Sequence, residues 1–240
     1  MGLREKQTAE RKRRILDVAD TLIRHTGGIE FSMRMLAEMA EVSPATPYNL
    51  FGSKEGILSA SLARSLSRTV FEGLAIQSRA PFDFIISSHS IAADLLVDQK
   101  SLLRPLYQYL LGVVDPIHRP IHIERSVKYW RTVAETGLSD VRQIKDISES
   151  DYEMLSGTLF AHFLGLLELW VHEDIGDDIF RTQAVYGGLL IFVPFLSEKF
   201  MSDMQTRLDH AKAAFEEAKR KQDKPKLRKK ESKREPKSKA

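Results

Sequence analysis

The sequence predicts an all-α protein with a helix-turn-helix near its N-terminus. Apolar residues recur at helical spacing in the first fifty residues, as at Ile15, Val18 and Ala19. No segment alternates between apolar and polar residues for long enough to predict a strand. Two very short helical patterns follow one another within residues 32–54. Helices this short cannot bury a core between themselves, so they predict a support that holds one helix outward, as in DNA-reading helix-turn-helix motifs.

Start and stop signals delimit the helices of this motif. Ser32 is placed to cap the first short helix, and Ser43 the second, with Pro44 at its first helical position. Gly52 ends the second helix, and Ser53 caps the next one. Further helical patterns predict nine or ten helices in all, over about 54–74, 82–97, 101–111, 121–136, 150–172 and 177–200.

Composition narrows the class of protein. The chain of 240 residues has no cysteine, which excludes disulfides and thiolate metal sites. Its first residues are polar and lack the apolar core of a signal peptide. The longest apolar run, residues 184–196, is shorter than the roughly 20 residues that a spanning helix needs. We therefore expect a cytoplasmic protein that does not enter a membrane and needs no cofactor.

Charge is distributed unevenly along the chain. Residues 1–68 carry a net +3, residues 69–218 a net −9 and residues 219–240 a net +9. Because the acidic middle repels phosphates, any nucleic acid should meet the head or the tail. Residues 201–218 favour a helical extension, whereas the chain from about Lys219 onward is too polar to bury a core and is predicted to be disordered.

Side chains suited to DNA contact lie on and around the predicted reading helix. Hydroxyl, phenol and amide groups can bond phosphates or base edges, and Ala and Pro can touch thymine methyl groups. The candidates are Ser32, Arg34, Ser43, Pro44, Ala45, Thr46, Tyr48, Asn49 and Lys54. The alternative is an ordinary solvated helix surface, with Leu50 and Phe51 packing below it.

The segment from about Arg13 to Leu62 resembles the N-terminal domain of TetR-family transcriptional regulators. The resemblance is carried by Arg-Ile-Leu-Asp-Val-Ala, Ser-Met-Arg-Met-Leu-Ala-Glu-Met-Ala, Val-Ser-Pro-Ala-Thr-Pro-Tyr-Asn-Leu-Phe and Gly-Ser-Lys-Glu-Gly-Ile-Leu, in that order. It implies a homodimer that binds a palindromic operator in double-stranded DNA and that a small-molecule effector regulates. It also implies three regions: an arm and DNA-binding domain at 1–53, a helical ligand-binding and dimerisation domain at 54–200 with 54–74 connecting the two, and the extension and basic tail at 201–240.

Two residues depart from the family pattern. Glu41 stands in the turn where the family commonly has Gly, and a left-handed backbone there would cost about 1 kcal/mol. Pro47 replaces a common Leu in the reading helix and is expected to forfeit one hydrogen bond. These departures leave an alternative function open: a helical protein that binds apolar or acyl metabolites and has a weakened DNA-binding head.

Aromatic and polar residues of the middle region are candidates for a ligand cavity. They are Phe84, His89, Arg104, Tyr107, Trp130, His162 and Phe163. Aromatic residues at helical spacing are also the normal content of a core, and the arginines could form surface salt bridges.

Two late segments, 155–171 and 184–196, are too apolar for outer helices of a monomer. A dimer interface in a four-helix bundle is the preferred interpretation. Its expected residues are Leu159, Phe163, Leu166, Leu167, Trp170, Leu189, Leu190, Phe192 and Leu196. The alternative is a buried central helix pair within one chain.

Chemistry other than binding has little support in the sequence. His118 and His122 are four residues apart, but Pro120 lies between them and a third ligand is missing, so no metal site is predicted. No nucleophile–base pair or phosphate loop is recognisable, so an enzyme is not expected. The sequence predicts a dimeric repressor that a ligand releases from its operator.

Overall fold

The computed structural model describes the backbone of residues 2–74, 82–139 and 147–232, with side chains as far as residue 67 in the first range and residue 223 in the last. Among these residues there are ten α-helices, one 3-10 helix at Val193–Phe195, and no strand, in agreement with the all-α prediction. The helices are α1 (Leu3–Thr26), α2 (Met33–Met39), α3 (Ala45–Phe51), α4 (Lys54–Leu74), α5 (Asp83–Asp98), α6 (Lys100–Gly112), α7 (His118–Ser139), α8 (Glu149–Val171), α9 (Asp177–Phe192) and α10 (Glu198–Ser232).

The helices form two compact units. The first contains residues 1–76 and 94–129, and the second contains residues 77–93 and 130–240. The helix-turn-helix thus belongs to the same unit as α6. The functional boundary at residue 53 stays a prediction, since compactness alone does not assign a function.

The core of the first unit lies where α1 packs against α2, α4 and α6. Ile15, Ala19 and Ile23 of α1 are fully buried there, and Ile57 of α4 is buried with them. Their spacing of four residues on α1 gives the helix one continuous apolar face.

A polar clamp also joins α1 to α4. The Arg64 guanidinium on α4 donates to Asp17 Oδ1 at 2.7 Å and to Asp20 Oδ2 at 2.6 Å, both on α1. Ser61 Oγ donates a further hydrogen bond to Asp20. Because one planar guanidinium bridges two carboxylates a turn apart, the clamp fixes the rotation of α4 about α1.

The second unit is built around α8 and α9. A capping box starts α8: Asp151 N donates to Ser148 Oγ, and Ser148 N donates to Asp151 Oδ2. The largest buried side chains are aromatic, and Trp170 stacks on Phe180 with ring centroids 5.2 Å apart. Burial of such rings contributes to the apolar stabilisation of the unit.

Two adjacent glycines let histidines lie directly against α9. A Cβ atom at Gly187 would overlap the His162 imidazole, and one at Gly188 would overlap the His89 imidazole. Both positions are helical, so it is the missing side chain and not an unusual backbone that is required there.

The C-terminal helix is longer than the sequence predicts. The expectation of disorder from about Lys219 is wrong as far as Ser232, where α10 ends. Ala218 is buried, and the Gln222 side-chain oxygen accepts a hydrogen bond from Gly176 N at the start of α9. These contacts, with the high helix propensity of Ala, Lys, Arg and Glu, explain why the helix continues. Residues 233–240 lie outside the described residues.

The glycine contact gives a stability prediction. The substitution Gly188→Ala should destabilise the protein by about 1–3 kcal/mol, because the new methyl group enters the space of the buried His89 ring. Chemical denaturation monitored by circular dichroism measures this change. Gly112→Ala is the matched control, since nothing lies within 4 Å of a Cβ there and the substitution should be neutral or slightly stabilising. Equal effects of the two substitutions would contradict the packing role of Gly188.

Candidate DNA-binding site

The first helix of the motif, α2, begins as predicted. Met35 N donates to Ser32 Oγ at 3.1 Å, so Ser32 is its N-cap. Leu36 and Ala37 are fully buried against the neighbouring helices. The cap and this small apolar face fix α2 in position.

The turn between α2 and α3 has the left-handed backbone that the family resemblance implied. Glu41 has φ 52°, a conformation that costs a non-glycine residue about 1 kcal/mol. Val42 N donates to Ala37 O at 3.0 Å and closes the turn. The Glu41 carboxylate lies 3.8 Å from the Arg14 guanidinium of α1. The turn therefore keeps its geometry without glycine.

The reading helix α3 accommodates Pro47 without losing a hydrogen bond. Pro47 is the third residue of α3 and is its one buried residue. Its nitrogen lies among the first helical positions, which have no intrahelical acceptor. The Ser43 carbonyl instead accepts from Thr46 N at 2.9 Å. The expected loss of a hydrogen bond at Pro47 is therefore wrong, because the proline packs inward at a position where its missing N–H is not needed.

The capping of α3 also differs in detail from the prediction. Pro44 precedes the helix with helical backbone angles, and its side chain makes no cap hydrogen bond. Ser43 Oγ lies 2.8 Å from Thr46 Oγ1, so the two hydroxyl groups pair with each other. This pair occupies the start of α3 and leaves its outer surface unobstructed.

The outer surface of α3 presents most of the predicted DNA-contacting residues. Tyr48 is 53% exposed, and Ser43, Pro44, Ala45 and Asn49 are exposed as well, while Thr46 is half-buried. A phenol, an amide and small apolar groups thus share one surface that can meet base edges and methyl groups.

Residues at the starts of α2 and α4 place positive charge and capped helix N-termini near the reading helix in sequence. Ser53 Oγ accepts from Gly56 N at 3.2 Å, which confirms it as the cap of α4. Lys54 Nζ lies 4.8 Å from the centre of the Phe31 ring, which orients the lysine beside the α4 terminus. Arg34 is 84% exposed in its side chain and pairs with Glu38 at 3.0 Å. An exposed pair of this kind is weak, so phosphate could replace Glu38 as the partner of Arg34.

The structure adds two surface residues that sequence reasoning missed. Met35 and Met39 on α2 are 47% and 50% exposed. Their spacing of four residues puts both on one face of α2, away from the buried Leu36 and Ala37, and this pattern in the sequence could have indicated their exposure. They are exposed apolar side chains on the helix that precedes the reading helix.

The candidate ligand residues divide between the two units. Arg104 and Tyr107 belong to the first unit, where Tyr107 is buried with its ring 5.6 Å from that of His122. The others, Phe84, His89, Trp130, His162 and Phe163, belong to the second unit.

In the second unit a chain of rings connects three of these candidates. The His89 ring lies 4.7 Å from that of Trp130, and Trp130 lies 5.1 Å from Phe163. His89 Nδ1 lies 2.7 Å from the Ile85 carbonyl, so it carries the proton and donates. The Nε2 atoms of His89 and His162 are buried with no hydrogen-bond partner among the described residues. Each ring therefore keeps a buried Nε2 without a partner among these residues, and the His89 ring lies beside that of Trp130.

Burial shifts the ionisation of these histidines. Burial, together with the neighbouring His162, lowers the pKa of His89 to about 4, against the hydrogen bond to Ile85. It also lowers the pKa of His162, against hydrogen bonds to the backbone of Gln183 and Ala184. Both imidazoles are thus neutral near pH 7.

The residues expected at the dimer interface lie mostly inside one chain. Leu159, Trp170, Leu189 and Phe192 have no exposed surface, and Phe163, Leu166 and Leu167 are buried as well. The four fully buried side chains have no surface left for a second subunit, while the dimer interface as a whole stays a prediction. Of the remaining two, Leu190 is 43% exposed and Leu196 is half-buried.

By length and composition α8 is the one described helix that could cross a membrane, with a mean hydropathy of 1.5 over 18 residues. Its buried face, which includes Leu159, Leu166 and Trp170, lies in the interior of the second unit. His118 and His122 make different contacts: His118 Nδ1 lies 2.9 Å from Asp115 Oδ2, whereas the His122 ring lies 5.6 Å from that of Tyr107. Within the described ranges no three His, Cys, Asp or Glu residues could hold a metal ion.

Comparisons with known proteins agree with this geometry. Residues 15–60 match the family model described as bacterial regulatory proteins, tetR family. The fold is similar to that of a TetR transcriptional regulator from Rhodococcus sp. RHA1, with TM-score 0.62 and 17% identity over 78% of this chain and 98% of that one. It is also similar to TylP, a TetR regulator from Streptomyces fradiae, with TM-score 0.58 and 15% identity over 91% and 94% of the two chains.

A third similar structure is a TetR-family regulator from Marinobacter aquaeolei VT8, with TM-score 0.55 and 18% identity over 88% of this chain and 99% of that one. No curated protein sequence matches the chain. The exposed helix α3 and its supports define a helix-turn-helix domain. More particularly, the chain carries the DNA-binding domain of the TetR family and has the fold of TetR-family regulators.

The buried imidazoles predict that stability depends on pH. The pKa of His89 is lowered to about 4 in the folded chain, as is that of His122, where burial acts first and Arg125 and Arg119 add to it. The unfolded chain therefore binds more protons between about pH 6.5 and 4. The stabilisation is complete above about pH 6.5 and is lost as the pH falls towards 4, by up to about 3 kcal/mol for each histidine.

Urea denaturation at several pH values measures this loss. The variant His89→Phe keeps a ring beside Trp130 but cannot titrate, so its stability should fall less steeply on acidification. An unchanged pH slope in this variant would show that His89 is not held in its neutral form.

Proposed function

We propose that the chain is a homodimeric repressor that binds a palindromic operator through α3 and is released by a small-molecule ligand in the cytoplasm. The observation that carries the proposal is the exposed surface of α3 around Tyr48, held outward on the buried Pro47. A helix presented in this way fits the major groove of DNA.

The surrounding contacts support a rigid reading helix. Ser32 caps α2, Ser53 caps α4, and the Arg64 clamp ties α4 to α1. Rigid presentation lowers the entropic cost of binding and sharpens the register on the duplex. Ser32, Arg34 and Lys54 are the proposed phosphate contacts, with Tyr48 and Asn49 the proposed base-reading residues.

For dimerisation we propose the face of α8 opposite its buried side, which we call the outer α8 face: Met154, Ala161, Gly165 and Leu169. These residues are exposed, and they follow one another at helical spacing. Less than half of the apolar 18-residue window of α8, 44%, is buried within the chain. Leu190 of α9, which is also exposed, would extend the interface. Ala and Gly allow two helices to approach closely, so a second copy of the same face is a suitable partner.

For the ligand we propose the ring cluster of the second unit: His89, Trp130, His162 and Phe163. Neutral imidazole acceptors among aromatic rings suit an apolar or aromatic molecule that donates hydrogen bonds. Such a ligand would release DNA by binding more tightly to a conformation whose two reading helices have the wrong spacing for the operator.

The alternative of a metabolite-binding protein with a weakened head has lost its support. It depended on Glu41 and Pro47. The turn forms at Glu41 with the required left-handed backbone, and Pro47 packs where its missing N–H has no effect.

Operator recognition can be tested at Tyr48. We expect Tyr48→Ala to lower the affinity for operator DNA by at least about tenfold, which corresponds to the roughly 1–3 kcal/mol of a base-reading contact. The operator is first selected from a random duplex library, and affinity is then measured by fluorescence anisotropy. His210→Ala on the exposed surface of α10 is the control and should leave affinity unchanged. Equal affinities of Tyr48→Ala and the unmodified chain would argue against α3 as the reading helix.

The outer α8 face can be tested by charge insertion. We expect Ala161→Arg to convert a dimer into a monomer in sedimentation velocity, because the guanidinium would be buried without a partner at the interface. Ala213→Arg makes the same exchange at an exposed position of α10 and should remain dimeric. A dimer in both variants would place the interface elsewhere.

A further inference from the structure

Two buried imidazole nitrogens of the second unit have no hydrogen-bond partner among the described residues. They are His89 Nε2 on α5 and His162 Nε2 on α8. Buried polar atoms in folded proteins are normally hydrogen-bonded, and an acceptor left without a donor lowers stability. Two such atoms in one unit are therefore the expected mark of a site whose donors come from a bound molecule.

The other nitrogen of each ring is already engaged, which makes both Nε2 atoms acceptors. His89 Nδ1 lies 2.7 Å from the Ile85 carbonyl. The His162 ring hydrogen-bonds to the backbone of Gln183 and Ala184, and this bonding falls to Nδ1 because Nε2 has no partner among the described residues. A backbone carbonyl accepts only from an N–H group, so each neutral imidazole carries its proton on Nδ1. Each Nε2 atom thus presents a lone pair.

Both acceptors face the same short stretch of α9. A Cβ atom at Gly187 would overlap the His162 ring at Nε2, and one at Gly188 would overlap the His89 ring at Nε2. Because consecutive Cα atoms are about 3.8 Å apart, the two Nε2 atoms lie less than about 12 Å from each other. One small molecule can span this distance with a donor at each end. His162 is half-buried, so the pair lies near the surface of the chain.

The surroundings of the pair favour a neutral molecule with an apolar body. The fully buried His89 ring lies 4.7 Å from Trp130, which in turn lies 5.1 Å from Phe163. Of the described ionisable groups, His162 is the one whose charge shifts the pKa of His89. A cation in this place would therefore lack a balancing carboxylate, and an anion would face two lone pairs.

We propose that His89 Nε2 and His162 Nε2 form a paired acceptor site for a neutral molecule that carries two hydrogen-bond donors, such as hydroxyl groups, on an apolar or aromatic body. The inference rests on the ligand site of the proposed function and names the class of ligand that it takes. Each Nε2 atom accepts one hydrogen bond, and the rings of Trp130 and Phe163 offer apolar contact to the body of the ligand.

The test titrates the full-length chain, in the absence of DNA, with small aromatic probes. Catechol, resorcinol and hydroquinone carry two hydroxyl groups at different separations, phenol carries one, and the dimethyl ethers of the three diols carry none. Fragments of this size bind with dissociation constants on the order of 1 mM. Affinity and the ring-nitrogen resonances of His89 and His162 are followed together by NMR.

At least one diol should bind about tenfold more tightly than phenol, because it makes one further hydrogen bond. The same diol should shift the Nε2 resonances of both histidines. Its dimethyl ether keeps the apolar body but has no donor, so it should shift neither resonance. This comparison uses only the unmodified chain and does not depend on whether a variant folds.

Variants then assign the two hydrogen bonds. His89→Phe and His162→Phe each keep an aromatic ring and remove one acceptor. In either variant the best diol should bind no more tightly than phenol does. The matched control is His210→Phe on the exposed surface of α10, which should keep the full advantage of the diol.

Equal affinities for the diols, phenol and the ethers in the unmodified chain overturn the proposal, and so does a diol advantage that survives in both histidine variants. Unmoved Nε2 resonances with all three diols, as expected if a tightly held water bridges the pair, overturn it as well. Zinc chloride that shifts both resonances where no diol does would make the pair a metal site, which also overturns it.

Failure of the proposed function gives a different result. A diol that binds through both histidines but leaves the affinity for the selected operator unchanged contradicts release by this ligand class and leaves the paired acceptor site standing. Conversely, normal operator binding together with unmoved histidine resonances contradicts the paired acceptor site alone.

Discussion

The reading surface depends on the contact between α1 and α4. The helices α2 and α3 have seven residues each, too few for either to be stable alone, and together they bury only a handful of side chains. Their orientation is therefore set by their neighbours. Ile15, Ala19 and Ile23 give α1 an apolar face with no exposed surface, and the Arg64 guanidinium holds Asp17 and Asp20 from α4. Without this frame, the surface around Tyr48 would have no fixed direction.

The same reasoning explains why two unusual residues are tolerated. A left-handed Glu41 costs about 1 kcal/mol, a small amount beside the burial of the α1 face. Pro47 removes a donor at a position where a helix has no acceptor to offer, and it adds a buried ring instead. Both residues depart from the common family pattern, yet each is compatible with the local backbone. Sequence differences of this kind alter the reading helix less than their residue types suggest.

Much of the head could be predicted from the sequence because its signals are local. Caps at Ser32 and Ser53 and the stop at Gly52 depend on residues within one turn, and the structure has all three. Seven of the nine interface residues expected from the sequence are buried within one chain, because an apolar pattern does not reveal whether its partner is the same chain or another. Trp170 is covered by Phe180 of its own chain, whereas Ala161 and Gly165, which are less apolar, remain exposed. The length of α10 depended likewise on a distant contact, Gln222 with Gly176.

The central claim is that two copies of α3 read one duplex together. Hydroxyl-radical footprinting of the selected operator tests it most directly. The account predicts two protected patches related by a dyad, with centres separated by about one turn of DNA, roughly 34 Å, on the same face of the duplex. A single patch, or two patches without dyad symmetry, would contradict a paired reading head.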